Sequence, residues 1–413
     1  MLVALLSAEY PPRPGGIGDY TRRLGQSLVE RGQRVLVFTI TDYRFQIVDL
    51  GGSMPNLQST IYDLQSNWGW RIGRDVRAAL QQMRPDILHI QYQTGAYGMH
   101  PAINFLPWRL RGTQHRPAVV VTAHDLLPPY LFPKAGPLRQ WVTRRLLTDA
   151  DAVVVTNEAD HERVRGWGSR TVPHALALIP IGSNIAVAPP EHYDRAVWRA
   201  HLGIGADQTL LAFFGLISLS KGLDTLLYAL AQLPARFSLL VIGAAAQAPV
   251  DRAYADAIRQ QIVRLGLEQR VTITGHSAEE QVSAHLLAAD IAALPFADGA
   301  SFRRGSLLAV LAHGLPVVTT LPTNDQGQTT NEADLAHPFG HSSFVIRPFV
   351  DGDNVLLVPP GDPPALAAAI ERLAHAPELR ERLAASGRAL TAELGWNAIA
   401  EQHEQLYARL LRR

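Results

Sequence analysis

The chain has 413 residues, of which 47% are hydrophobic and 18% charged, and its formal net charge is +1. A single core rarely grows past roughly 250–300 residues, so two domains are expected, and the charge content is too low for a disordered chain. The near-neutral balance argues against broad electrostatic binding of nucleic acid, and the absence of cysteine excludes disulfides, thiolate catalysis and thiolate-bound zinc.

Met1 to Ala8 is apolar for about one strand's length before Glu9 and the Pro11-Pro12 pair. It has no basic lead and no long apolar stretch, so a signal peptide is not expected. No apolar run approaches the ~20 residues that span a bilayer. A cytoplasmic location is expected, with peripheral contact at the inner face of a membrane left open.

Leu2 to Ser7 reads as a buried strand. A glycine-rich turn follows, then a helix with Ile17, Tyr20, Leu24 and Leu28 on one face, stopped by Gly32. Further strands are expected at Arg34 to Phe38, Asp86 to Ile90, Ala118 to Thr122 and Ala152 to Thr156. Apolar strands separated by helices indicate a parallel sheet covered on both faces. Ser183 to Gln208 breaks the rhythm with Pro189-Pro190 and several charges, and is the candidate linker. The alternation then restarts. Strands are expected at Thr209 to Phe214, Ser238 to Ile242, Val271 to Thr274, Ile291 to Leu294 and Pro316 to Thr319, with Asn354 to Val358 closing the sheet. A helix runs from about Leu223 to Leu233, and the tail from Pro363 is helical. The fold class is α/β, with two doubly wound Rossmann-like domains at 1–186 and 187–392 facing a central cleft. A last helix at 393–413 completes the chain.

Ligands of open parallel sheets bind outside the carboxyl ends of strands. Four motifs stand there. Pro14-Gly15-Gly16-Ile17-Gly18 lets backbone approach a ligand and opens a helix whose free N–H groups suit an anion; the alternative is a plain tight turn. His124, in Thr122-Ala123-His124-Asp125, can meet a sugar hydroxyl or a phosphate, or can cap local backbone. His89 lies inside an apolar stretch, where a structural role is favoured. Lys221 opens a helix behind Gly215, and is one of only two lysines, with Lys134, among 36 arginines. A lysine there suits phosphate. Last, Asp298-Gly299-Ala300-Ser301-Phe302-Arg303-Arg304-Gly305-Ser306 brings adjacent arginines beside glycines and serines, a grip for a diphosphate. No H-E-x-x-H motif and no EF-hand loop occurs, nor a G-x-S-x-G elbow, and no metal is expected.

In order and spacing these segments resemble the family 4 retaining glycosyltransferases of the GT-B fold, the group 1 glycosyltransferase-like enzymes. The resemblance spans nearly the whole chain. Its anchors are Gly15-Gly16, His124, Ile179 to Asn184, Phe213 to Gly222, Ala312 to Val318 and Asp351 to Asp362. It implies a hexosyltransferase-like enzyme acting on a nucleotide-diphosphate-sugar, with Gly15 and Gly16 at the diphosphate and His124 beside the transferred sugar. Lys221 would neutralise the leaving group without metal or cofactor. The final helix, with Trp396, would cross back onto the first domain.

Two departures stand out. The family has an arginine where this chain has Leu216, and glutamates where it has Ser301 and Ala309. Arg303 or Arg304 is expected to restore the charge lost at Leu216, with Gly305 beside them at the diphosphate. Ser301, Ser306 and Asp298 are then the candidates for the donor's sugar and ribose. The alternatives are a non-catalytic relative that binds a sugar nucleotide or a partner, and an epimerase of the same fold, for which no acid/base carboxylates can be placed. The acceptor is a glycan, a lipid-linked or a small molecule. Phe132, Lys134, Arg139, Trp141, Arg144 and Arg145 form either a membrane-facing surface or a helix packed on its sheet. Trp68 and Trp70 stack on a sugar or belong to the core.

Overall fold

The computed structural model describes residues 1–11, 15–40, 59–64, 67–126, 136–167, 175–183, 185–245, 249–322 and 348–412. Pro14, Phe132, Lys134 and Asn184 lie outside the described residues. The chain divides into two compact units, Met1–Gly182 with Gly395–Arg413, and Ser183–Leu394, where the sequence reading placed boundaries at 186 and 392.

The first unit is a sheet of β1 (Leu2–Ser7), β2 (Arg34–Thr39), β3 (Ser59–Asp63), β4 (Ile87–Tyr92), β5 (Ala118–Ala123), β6 (Ala152–Val155) and β7 (Leu176–Leu178). Their order is β3-β2-β1-β4-β5-β6-β7, and every pairing is parallel. Parallel neighbours need crossovers, supplied by α1 (Gly16–Glu30), α2 (Ile72–Met83), α3 (Leu106–Arg109), α4 (Pro137–Thr148) and α5 (Glu158–Arg165). β3 and β7 are absent from the sequence reading: β3 (Ser-Thr-Ile-Tyr-Asp) carries a single aliphatic residue, and β7 is only three residues long. Pairing with β2 and β6 makes them strands.

The second unit repeats the plan. β8 (Thr209–Phe214), β9 (Phe237–Ile242), β10 (Val271–Ile273), β11 (Ile291–Leu294), β12 (Val317–Thr320) and β13 (Leu356–Val358) lie in the order β10-β9-β8-β11-β12-β13, all parallel. Its helices are α6 (Arg195–His201), α7 (Leu223–Gln232), α8 (Pro249–Arg264), α9 (Glu279–Ala288), α10 (Gly305–Ala312), α11 (Pro363–His375) and α12 (Pro377–Ala392). In each sheet the order reverses beside the first strand, at β1/β4 and at β8/β11. Loops on either side of such a reversal diverge and leave a crevice above the strand ends.

The last helix, α13 (Trp396–Leu411), packs on α1. Arg31 donates to Glu404 at 2.6 Å and to Asn397 at 2.9 Å, and Gln33 donates to Glu404 at 2.7 Å. Ile399, Ala400, Leu406 and Tyr407 join Val3, Leu5, Tyr20 and Leu24 in one apolar cluster. A Cβ on Gly182 would come within 2.9 Å of the Trp396 ring, so that position stays bare.

Arg199 ties α6 to the second sheet. Its guanidinium is buried and donates to Asp290 at 2.9 Å and to the carbonyls of Ala288 at 3.0 Å, Gln208 at 2.7 Å and Gly205 at 3.3 Å. Asp290 in turn accepts from the backbone N–H of Leu210 at the start of β8. Asp290 keeps a second partner, Arg195, at 2.5 Å, so losing Arg199 chiefly leaves the Ala288, Gln208 and Gly205 carbonyls without their donor. Arg199→Ala is expected to destabilise the second unit by about 1–3 kcal/mol, read as a lowered denaturation midpoint. A change under about 1 kcal/mol would contradict this account.

Candidate functional site

In the second unit, β8 ends at Phe214, and Gly215 turns the chain at φ +133°, a conformation that favours glycine. A single 3₁₀ turn, Leu219–Lys221, follows and ends at Gly222 with φ +66°. A Cβ on Gly222 would collide with the Pro295 carbonyl just past β11, so this glycine brings the two strand ends together. Lys221 is thereby held at the β8/β11 reversal.

Beneath it lies Phe296, fully buried. The Lys221 ammonium is 5.0 Å from the ring centroid, and the Arg304 guanidinium carbon 4.7 Å. Lys221 Nζ donates to Ser306 Oγ at 3.1 Å, and Arg304 forms an ion pair with Asp298. Four of the sequence candidates, Lys221, Asp298, Arg304 and Ser306, therefore share one cluster. Gly305 is the first residue of α10; the N–H groups of Leu307 and Leu308 bond the Arg304 carbonyl, and those of Gly305 and Ser306 precede the helix's first bonds. Ser301 instead accepts from the Arg303 N–H at 3.2 Å, and Arg303 is exposed, whereas Arg304 is largely covered. Ala309 is fully buried in α10. Leu216 is more than half exposed.

Burial, with a lesser push from the Arg304 charge, lowers the Lys221 pKa to about 8; Asp298 acts in the opposite sense. Burial also lowers that of Arg304.

In the first unit the Gly15-Gly16 turn opens α1 as expected, but it already holds a carboxylate. The space a Cβ on Gly15 would need is taken by the Glu9 side chain, and the Ile17 N–H donates to the Glu9 carboxylate. Burial is the main cause that raises the Glu9 pKa. Gly16, by contrast, has nothing within 4 Å of its Cβ position. Glu9 was missed because nothing in the local spacing marks it; its role follows from the chain folding back over the turn.

His124 follows β5, with its backbone N–H on the Tyr92 carbonyl at 2.9 Å. Its Nε2 is 3.1 Å from Gln91 Oε1, and the Tyr20 ring meets it edge-on at 4.6 Å. Burial lowers its pKa to about 3, so the imidazole is neutral at physiological pH. His89 is structural, as favoured on sequence: fully buried, it is bonded to Tyr407 OH at 2.6 Å and Thr122 Oγ1 at 2.7 Å. Trp68 packs edge-on against buried Tyr97 and belongs with the core, while Trp70 is exposed.

Two Asp-x-Asp spacings occur where none was expected from the sequence, and both serve the fold. Asp149 pairs with Arg111 at 2.7 Å and Arg145 at 2.8 Å, and Asp151 with Arg116 at 2.8 Å. Asp351 accepts from the Leu357 N–H and Asp353 from Ser386.

Residues 15–182 match the model of the glycosyl transferase 4-like domain, and residues 208–376 that of the glycosyl transferases group 1. The chain belongs to the family 4-like glycosyltransferases of the GT-B type. It is 27% identical to a D-inositol 3-phosphate glycosyltransferase from Xylanimonas cellulosilytica, over 100% of this chain and 97% of that one. It is 25% identical to the alpha-D-kanosaminyltransferase of Streptomyces kanamyceticus over 68% and 67%. Among solved structures, sucrose-phosphate synthase from Thermosynechococcus elongatus superposes with a TM-score of 0.72 at 25% identity, covering 100% of this chain and 99% of that one. Anabaena HepE in complex with UDP and glucose shares the fold, with a TM-score of 0.69 at 21% identity over 98% and 99%. This glycosyltransferase thus carries its clustered cations in the group 1 domain.

With only two lysines in the chain, methyl- or carbon-labelled lysine NMR resolves Lys221 directly. Its titration is expected near pH 8, with the charge lost as pH rises through that value. Arg304→Ala removes a like charge while Asp298 stays, so the Lys221 midpoint should move up. An unmoved or lower midpoint would show that the two cations do not share a site.

Proposed function

We propose that this enzyme transfers a glycosyl group, with retention of configuration, from a nucleoside-diphosphate-sugar, and that Lys221, Arg304 and Ser306 receive the leaving diphosphate. The observation that carries this reading is the Lys221–Ser306–Arg304–Asp298 cluster over Phe296 at the strand-order reversal. Two cations held in a largely buried setting are worth more to a developing negative charge than the same cations in water. Neutral Ser306 and the opening N–H groups of α10 add donors with no extra charge to desolvate. In this role the cations stand where other transferases use a metal ion. The Glu9 carboxylate at the Gly15 turn disfavours a second anion there, so the diphosphate is assigned to the second unit. HepE, a fold relative, is solved with UDP, which makes uridine diphosphate the first donor to try.

In the reaction so read, the acceptor oxygen bonds to the anomeric carbon on the face from which the diphosphate departs. The bond from that carbon to the diphosphate oxygen breaks, and the acceptor's hydroxyl proton passes to the leaving phosphate. His124 takes the position beside the transferred sugar that the family resemblance implies.

A second reading, a relative that binds the sugar nucleotide without turning it over, is favoured by Ser301 and Ala309 standing where the family has glutamates. A thermal-shift screen with UDP, GDP and ADP, followed by a transfer assay, separates the two. One nucleotide should stabilise the protein, by about 2.7 kcal/mol at a hundred times its Kd. Lys221→Ala and Arg304→Glu should lose that shift, with Arg303→Glu the milder change. In the transfer assay, Lys221→Ala should cost about 100–1000-fold in kcat. Binding without transfer across a donor and acceptor panel would select the second reading.

The acceptor is read as lipid-linked and held at a membrane surface. Trp70, Trp108 and Trp141 are 55%, 50% and 48% exposed. Phe105 joins two of them, at 5.9 Å from Trp70 and 6.0 Å from Trp141, and Arg109 donates to the Trp70 carbonyl at 2.7 Å. Residues 67–74, 92–123 and 136–148 contain no Asp or Glu, but do contain exposed Arg71, Arg74 and Arg144. Arg74 is paired with Asp75 at 3.1 Å, but exposed indoles beside Arg71 and Arg144 suit an anionic headgroup layer. The protein should co-sediment with phosphatidylglycerol-containing vesicles, and not with pure phosphatidylcholine. Trp70→Ser with Trp141→Ser and Arg144→Glu should release it. Equal binding to both vesicles, or to neither, would exclude this surface.

A further inference from the structure

Gln91 stands out among the buried residues of the first unit. On β4, Leu88, Ile90 and Tyr92 face one side of the sheet and join a wholly apolar cluster with Val119, Val121 and Ala123 of β5. His89 and Gln91 face the other side. The parallel register sets Gln91 opposite Thr122, and His124 follows two residues later on the same side. Gln91 is fully buried. Its Oε1 is 3.1 Å from His124 Nε2, and its Nε2 is buried with no hydrogen-bond partner among the described residues.

An unmet buried donor costs about 1–3 kcal/mol, a cost that a leucine of similar size would avoid. Stability alone therefore does not account for an amide at this place. What the amide does is visible in its other half. A neutral imidazole has one N–H and one lone pair, and the bond made by one nitrogen sets the tautomer at the other. An amide oxygen can only accept, so it holds the proton on His124 Nε2 and leaves the lone pair on Nδ1. The ring plane is fixed from a second side. Tyr20 meets His124 edge-on at 4.6 Å, and Trp396 of α13 meets Tyr20 at 5.1 Å.

We propose that Gln91 is a positioning residue for glycosyl transfer: it locks His124 in the Nε2–H tautomer, so that Nδ1 accepts a hydrogen bond from a sugar hydroxyl. The proposal rests on the reading that His124 lies beside the transferred sugar. The titratable groups around the ring are Tyr20 from α1, His89 from β4, and His403 with Tyr407 from α13, with Asp125 next along the chain. His89 and His403 are themselves held neutral by burial, to about 4 for His403.

The test compares Gln91→Leu, Gln91→Glu and His124→Ala in the full-length enzyme, by transfer kinetics and by 15N-histidine NMR. Gln91→Leu should lower kcat about 10–100-fold with the donor KM little changed, and the His124 nitrogen shifts should report mixed tautomers. Once ionised at alkaline pH, Gln91→Glu also only accepts, so there it should keep the Nε2–H signature and recover most of kcat. Its carboxylate should raise the His124 pKa and add an acid limb to the pH profile that the wild type lacks. Unchanged His124 shifts in Gln91→Leu, or equal damage in both Gln91 variants, would overturn the proposal. If His124→Ala is impaired while Gln91→Leu behaves as wild type, only the positioning role falls. Full activity in His124→Ala would remove the underlying reading instead.

Discussion

Both units depend on one constraint. An all-parallel sheet cannot join neighbouring strands by tight turns, so each connection must cross a face, and the helices that make the crossings close both faces. Where the order reverses, at β1/β4 and β8/β11, two successive crossings leave in opposite directions. The strand ends between them stay uncovered by helix. Chemistry gathers there because it is the one edge of the sheet where side chains and helix N–H groups converge without apolar cover.

The two reversals are used differently. At β8/β11 the site is cationic and rests on an aromatic floor. Lys221 and Arg304 share the Phe296 ring, and each has a polar partner, Ser306 and Asp298. Glycine at 215 and 222 makes the approach possible, one through its backbone angle and the other through its missing side chain. At β1/β4 the corresponding turn carries the Glu9 carboxyl group instead, folded onto Gly15. A fold that repeats itself thus presents different electrostatics at equivalent places.

The polar side of β4 and β5 shows how the C-terminal helix matters. His89, Thr122 and Tyr407 complete one another's hydrogen bonds in a fully buried setting, and His403 bonds its own helix at Ile399. Satisfied buried polar groups specify a single arrangement of the elements that carry them. The same face continues through Gln91 to His124, so the helix that closes the core also sets the walls around the histidine through Trp396 and Tyr20.

The alternation of apolar strands and amphipathic helices, the stop at Gly32 and the polar strand-end loops were legible in the amino-acid sequence, since each rests on local periodicity or on glycine. Ser183 to Gln208, expected as a linker, instead carries α6 and belongs to the second unit, because buried Arg199 anchors it there. So was the oddity of Lys221 in an arginine-rich chain. β3 and β7 were not legible, because their residues are weakly patterned and become strands only by pairing with β2 and β6. The sequence could name Arg303 and Arg304 but not separate them. Adjacent residues at a helix start point in different directions, and only packing against Phe296 turned Arg304 inward and left Arg303 exposed. Likewise, Gln91 against His124 is a contact between strands brought together by the sheet, and Glu9 over Gly15 depends on how the β1–α1 connection folds back. Local pattern determined which elements form and where their ends lie; the tertiary structure alone decided which charges meet, because Coulomb and hydrogen-bond energies depend on distance in space and not along the chain.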